Sequence, residues 1–327
     1  MGQGNRFRDW GLLLLCNLIW GGQFVIYKIV QREVGPLFAV VFPVTIAMLL
    51  LVPIVYRERI VKNTSKVLTF RDVSQFLLIG ILGQIVAQFF TSWGVRLTLA
   101  SNAALLGLTL PVLTALMAYI FLGERMTALR WTSFGLAALG VIECSGVRWG
   151  DLAFRDSKYL LGNLMIFLSI AGSAFYNVYS KRLLLRYSPL QVVLYSYYVF
   201  VGFMLPIAIS AEPQSFRNIL HLGASVWLGL ILLAVFVYFL AMVIFLDVLS
   251  RLDATQAALS NYLIPLFGVL TAALVLHERL TKFMVIGGLL VLVSTLLVTV
   301  YEERWRSRVK VVPRLEDRPE PLKSSSI

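Results

Sequence analysis

The chain has 327 residues, of which 59% are hydrophobic and 14% charged, and its formal net charge is +12. Ordinary soluble domains carry about 45–50% apolar and about 25% charged residues, so a water-soluble fold of this chain would leave too much oil on its surface. Composition therefore excludes a soluble globular domain and points to an all-α integral membrane protein.

A helix needs ~20 mostly apolar residues to cross the hydrocarbon core, and ten segments meet that need. Residues 1–10 precede the first span and are expected to be cytoplasmic. "RFRDW" ahead of "GLLLLCNLIW" imitates a signal peptide, but no small-residue cleavage site follows, so Gly11–Ile29 is read as a retained span. Asn17, Trp20 and Gln23 recur along one side of it, and Lys28 closes it. The second span, Phe38–Tyr56, leads into a loop holding Arg57, Arg59, Lys62, Lys66 and Arg71. The third, Phe76–Val95, carries Gln84 and Gln88 one turn apart. The fourth, Ala100–Leu122, holds Asn102 and a mid-span Pro111, and Glu124 follows it. Glu143 lies in the fifth, Leu129–Val147. The sixth, Leu160–Ser180, presents Ser173, Tyr176 and Asn177 before Lys181. The seventh and eighth are Gln191–Ile209 and Val226–Leu249, with Asp247 and Asp253 bracketing Arg251 as a local ion pairing. Gln256, Asn261 and Pro265 lie in the ninth, Ala254–Leu276, which runs into Glu278. The tenth is Phe283–Tyr301. Residues 302–327 mix charge, Pro and Ser and are expected to form a disordered cytoplasmic tail.

Most of the 29 Lys and Arg residues fall on the N-terminal side of the membrane when these spans are threaded in order. The positive-inside rule then sets both termini in the cytoplasm of a multi-pass cell-membrane protein, the inner membrane in a bacterium. The net charge is thus explained by orientation, and no nucleic-acid partner is called for.

"FLGERMT" at Phe121–Thr127 returns as "VLHERLT" at Val275–Thr281. The echo extends backwards: Ala100–Thr127 laid over Ala254–Thr281 matches without a gap through the Ala-Ala-Leu run, the proline and the Glu-Arg pair. Lys28 and Pro36 likewise echo in Lys181 and Pro189. Residues 11–150 and 151–301 are therefore read as two copies of one five-span unit. Five is odd, so the second copy must enter the membrane upside down. Inverted repeats with a shared midplane site are an architecture of secondary transporters. Inversion also gives each face one lysine and one glutamate from opposite copies: Lys28 with Glu278 outside, Lys181 with Glu124 inside. Each pair is read as a candidate latch, against the alternative that these residues reach headgroups or cap helix ends.

The stretch "NLIWGGQFVIYK", the paired Ala-Ala-Leu to Glu-Arg segments and the duplicated unit resemble the EamA family of the drug/metabolite transporter superfamily. The likeness covers about Asp9 to Tyr301. It implies a ten-helix transporter with a cavity lined by the first, third, fourth, sixth, eighth and ninth helices, and movement of small metabolites such as amino acids, often outward. Glu143 departs from the pattern, which expects a small or apolar residue there.

Polar groups inside a membrane need a partner or a function. Asn17, Trp20, Gln23, Gln84, Gln88, Asn102, Ser173, Tyr176, Asn177, Gln256 and Asn261 are the candidate solute contacts, because amides both donate and accept. The alternative is that they bind neighbouring helices at ~0.6 kcal/mol each. Pro111 and Pro265 are candidate kinks, and Glu143 a candidate proton carrier. Cys16, Cys144, His221 and His277 have no metal-ligand spacing. The chain has no phosphate-binding loop of the G-x-x-x-x-G-K-[ST] type, and no cofactor is called for. The resulting reading is secondary transport of small polar or amphipathic metabolites, with export favoured and a proton or ion as candidate coupling partner. A non-transporting membrane sensor or assembly protein, and an integral membrane enzyme, are the alternatives.

Overall fold

The computed structural model describes residues 3–61, 68–122, 128–143, 157–251, 261 and 263–309. Among them all regular structure is helical: α1 (Gln3–Val30), α2 (Pro36–Val61), α3 (Phe70–Leu97), α4 (Ala100–Leu106), α5 (Leu110–Leu122), α6 (Ala128–Glu143), α7 (Ser157–Leu183), α8 (Pro189–Ala211), α9 (Ala224–Arg251), α10 (Leu263–Leu276) and α11 (Lys282–Val309). Six of these contain stretches long and apolar enough to cross a membrane: α1, α2, α3, α7, α8 and α9. α10 and the Lys282–Ser294 part of α11 are apolar but shorter.

Oil faces outward as well as inward, as a lipid solvent requires. Leu266, Leu270 and Leu274 on α10, and Val285, Ile286, Leu289 and Val293 on α11, are exposed at helical spacing. Leu14, Leu15 and Leu18 do the same on α1, while Leu13, Cys16 and Tyr27 on its other side are wholly buried. The principal helix pairs are α3 with α7, α6 with α11, α1 with α10, and α2 with α8.

Local sequence sets the helix starts. Thr69 and Asp72 form a reciprocal cap on α3, and Ser188 and Gln191 form another on α8, where Pro189 occupies the first turn. The expected fourth span is divided: a 3₁₀ turn, Gly107–Thr109, separates α4 from α5. Pro111 has no amide proton to offer the Gly107 carbonyl, so the chain tightens there instead of continuing as α-helix. Pro265 lies buried in the first turn of α10. α11 runs on to Val309, which carries helix past the expected end of the last span.

Two wide turns interrupt long helices. α3 is π-helical from Ile79 to Ile85, and α9 from Leu233 to Ala241. A π-turn frees carbonyls that a regular helix would use. Tyr197 Oη donates to the Tyr238 carbonyl at 2.7 Å, and Cys16 Sγ to the Ala241 carbonyl at 3.5 Å. Both donors lie on neighbouring helices, so the wide turn of α9 is held from outside.

Carboxylates tie helix ends together across the molecule. Glu212, just past α8, accepts from the amides of Leu37 and Phe38 in the first turn of α2, at 3.0 and 2.8 Å. Glu58, near the end of α2, accepts from the capping hydroxyl of Ser188 at the start of α8, at 2.8 Å. α2 and α8 therefore run antiparallel, each closing the other. Glu33 accepts from the Gly223 amide at the start of α9, at 2.8 Å. A carboxylate at a helix N-terminus contributes ~0.3–1 kcal/mol, and up to ~2 when partly buried. Arg251 binds Asp247 at 2.6 Å and also the buried Asp9 at 3.0 Å, which widens the expected local pairing into a link between α9 and α1. Asp253 lies outside the described residues.

His277 ends α10 with φ 55°, a left-handed conformation that disfavours any residue with a Cβ. The aligned position in the first echo is Gly123. His277→Gly is expected to raise stability by about 0.5–1 kcal/mol, read as a higher melting temperature in detergent. A fall would mean that the imidazole makes a compensating contact.

A cavity between the helices

A cavity of about 120 Å³ lies inside the bundle. α1 contributes Trp20, Gln23 and Phe24 to it. α3 contributes Gln84, Ala87, Gln88 and Thr91; α7 contributes Ile166, Ser169, Ile170, Ser173, Tyr176 and Asn177. The wide turn of α9 and the residue after it supply Val237, Tyr238 and Met242. Gly107 at the start of the 3₁₀ turn, Leu110 just after it, Asn261 and Ile264 add to the wall. Among the described residues none of the lining side chains is charged.

The lining mixes apolar and polar side chains. Trp20 packs edge-on against Phe245 of α9, ring centroids 5.0 Å apart. With Phe24, Leu110, Met242 and Ile264 it makes an apolar wall. The polar wall is a hydrogen-bonded series. Tyr27 and Tyr238 share a hydrogen bond between hydroxyls, and Tyr238 Oη donates to Gln88 Oε1 at 3.1 Å. Gln88 Nε2 donates to Gln84 Oε1 at 3.4 Å. Tyr176 pairs with Ser196 at 3.3 Å, and Thr91 with Ser169 across the α3–α7 contact. Gln84 is directed at the Tyr176 hydroxyl, and among the described residues the buried acceptor Asn261 Oδ1 on this lining has no partner. A buried unpaired polar group costs about 1–3 kcal/mol, so a ligand group that donates to Asn261 would be favoured here.

Eight of the eleven candidate contacts converge on this cavity: Trp20, Gln23, Gln84, Gln88, Ser173, Tyr176, Asn177 and Asn261. Asn17 is buried one turn before Trp20, off the cavity, and among the described residues neither of its amide atoms has a partner. Asn102 is buried in α4, where its amide donates to Thr98 Oγ1 at 3.4 Å. Gln256 lies outside the described residues. Glu143 ends α6, half-buried and away from the cavity lining.

Lys28 and Glu278 meet at one end of the bundle, close enough to interact electrostatically. They make no ion pair among the described residues. The Glu278 carboxylate instead accepts from the Ala100 amide at 3.0 Å, the Ser101 amide at 2.9 Å and Ser101 Oγ at 2.6 Å. It caps α4, which was the alternative reading of this residue. Glu124 lies outside the described residues, and Lys181 is half-buried near the end of α7. Thr91, Ser169 and Tyr238 were not singled out from sequence. Thr91 is the one with a signal there: it follows Gln84 and Gln88 on the same face of α3.

The model of the EamA-like transporter family matches the chain twice, over residues 10–144 and 160–300. An uncharacterized transporter of Archaeoglobus fulgidus is 28% identical, with 88% of this chain and 96% of that one aligned. A probable amino-acid metabolite efflux pump of Escherichia coli is 24% identical over 93% of this chain and 98% of its own. A probable terminal-alkyne amino-acid exporter of Streptantibioticus cattleyicolor is 27% identical over 70% and 73%. One crystal structure superposes with a TM-score of 0.62 at 18% identity, covering 91% of this chain and 98% of its own. The helical bundle with lipid-facing oil, the internal cavity and the two family matches agree: the chain is a multi-pass membrane protein that belongs to the EamA-like transporter family.

Proposed function

We propose that this chain is a secondary transporter that exports small, net-neutral polar or amphipathic solutes, amino acids among them. It would do so by exposing one cavity alternately to each side of the membrane as two inverted five-helix units rock against each other. The observation that carries this reading is the cavity itself: among the described residues its lining is uncharged and mostly apolar, with amides, hydroxyls and the buried acceptor Asn261 Oδ1 on it. A solute bearing a donor would satisfy Asn261, and its apolar part would find Trp20 on the same lining. Two relatives bear exporter or efflux names, which favours the outward direction.

Reciprocal contacts support the inversion. Glu58 and Glu212 stand at the same spacing as Glu124 and Glu278, and each ties the end of its own helix to the start of the other's. The wide turns of α3 and α9 begin at that spacing as well. Two-sided access to a buried pocket is what such a pair of units achieves.

The test is efflux from proteoliposomes loaded with a panel of neutral amino acids and their amides, alongside labelling of Glu124→Cys and Glu278→Cys in a Cys16→Ala, Cys144→Ala background. Saturable efflux of at least one panel member is expected, with the two cysteines modified from opposite sides. Labelling of both from one side would defeat the inverted arrangement. Flux no faster than from empty liposomes across the panel would defeat the substrate class.

A further inference from the structure

A second cavity, of about 400 Å³, opens at the C-terminal end of α1 and is lined by Lys28, Gln31, Arg32 and Arg96. It stands directly beyond the first. Phe24 lines the inner cavity and Lys28 follows it by one turn on the same face of α1. On α3, Gln88 lines the inner cavity, and Ser92 and Arg96 continue the same face.

The wall between the two helices is fixed. Gln31 Nε2 donates to the Ser92 carbonyl and to Ser92 Oγ, both at 2.9 Å, and Arg96 donates to the Gln31 carbonyl. Arg96 thereby spends one donor and keeps the rest of its guanidinium for another partner. Lys28 is half-buried and feels both Arg96 and Glu278. The Glu278 carboxylate is already occupied by the N-terminus of α4. Among the described residues, no carboxylate comes within ion-pair distance of Lys28, Arg32 or Arg96.

We propose that Lys28, Arg32 and Arg96 form an anion-binding vestibule at the mouth of the inner cavity, built for a carboxylate or phosphate group. Three cations converging on one opening repel each other unless an anion joins them. A guanidinium with free donors and an ammonium at its side is the arrangement that oxyanions favour. The anion would come from one of two sources: the acidic group of a solute passing between cavity and bulk, or the phosphate of a neighbouring lipid. Only the first source rests on the transport reading; anion binding itself does not need flux.

The probe is inorganic phosphate, titrated at constant ionic strength against the full chain in uncharged detergent, with thermal unfolding as readout. Saturable stabilisation is expected for the unmodified chain and for Lys28→Arg. Lys28→Gln with Arg96→Gln should weaken phosphate binding by at least about tenfold, the factor expected when a hydrogen bond to a charged group is lost. Arg32→Glu, on an exposed side chain, gives a second variant should that pair fail to fold, and it should weaken phosphate binding too. Adding phosphatidylglycerol distinguishes the sources. A lipid site loses its phosphate response as this lipid is added, whereas a solute site keeps it. Equal responses to phosphate and chloride, or variants with the phosphate affinity of the unmodified chain, would overturn the proposal. Phosphate binding without solute flux would count against transport and leave the vestibule standing.

Discussion

Gly21→Val is expected to remove most of the folded protein, and it is the largest stability effect the fold predicts. A Cβ at Gly21 would stand 2.7 Å from Phe267 Cβ and 2.9 Å from both the Gly268 nitrogen and the Ile264 carbonyl oxygen. Two of those three atoms are backbone of α10, so no rotamer change relieves the contact. The fit against α4 is equally close, because a Cβ at Gly268 would stand 2.4 Å from Ala104 Cβ of α4 and 3.2 Å from the Gly21 carbonyl oxygen. α10 thus packs closely on both α1 and α4 where Gly21, Gly268 and Ala104 meet, as membrane helices do when small residues let backbones approach. Overpacking costs about 1–3 kcal/mol where side chains can yield, and more is expected against backbone. With a total stability of about 5–15 kcal/mol, Gly21→Val should elute mostly as aggregate and melt well below the unmodified chain. Gly22→Ala is the matched control, since its Cβ would meet nothing within 4 Å. If Gly21→Val eluted and melted like Gly22→Ala, the α1–α10 contact described here would be wrong.

The same contact explains what sequence could and could not reveal. A run of apolar residues about as long as the bilayer is thick announces a helix without help from any neighbour, so α1, α2, α3, α7, α8 and α9 fall where the hydropathy places them. Trp20, Gln84, Gln88, Tyr176 and Asn177 were legible too, because a polar or large aromatic group in mid-membrane is conspicuous. The wide turns were not. Nothing local in "IGILGQI" or "LAVFVYFLA" demands an extra residue per turn; the Tyr197 hydroxyl, on another helix, holds the Tyr238 carbonyl in place. Glu278 illustrates the same limit. Its charge and its end of the bundle could be read from spacing, and these left a partner of opposite charge and a helix-end cap as open alternatives. The helix N-terminus at Ala100 and Ser101 offers three donors to the same carboxylate, a partner visible only once α4 and α10 are side by side.

Trp20→Ala is expected to have the largest effect on transport. The indole forms much of the apolar wall and is braced by Phe245, so its ring plane is set before any solute arrives. Removing it takes away the surface on which a solute's apolar part would lie and enlarges the cavity. An aromatic contact contributes about 0.5–1.5 kcal/mol beyond the area it buries, and the buried area itself about 25 cal/mol per Å². Together these give at least a tenfold rise in the solute concentration for half-maximal flux. Truncating a large core aromatic also destabilises, by about 3–5 kcal/mol in tight packing, so flux alone does not separate the two effects. Trp20→Phe does: it keeps a ring against Phe245 and should retain most of the stability and most of the affinity. The informative measurement is the pair of curves, melting temperature and flux against solute concentration, for both variants. A Trp20→Ala protein that lost stability but bound and moved solute with unchanged half-saturation would make Trp20 a packing residue and shift the binding surface to the polar wall of α3 and α7.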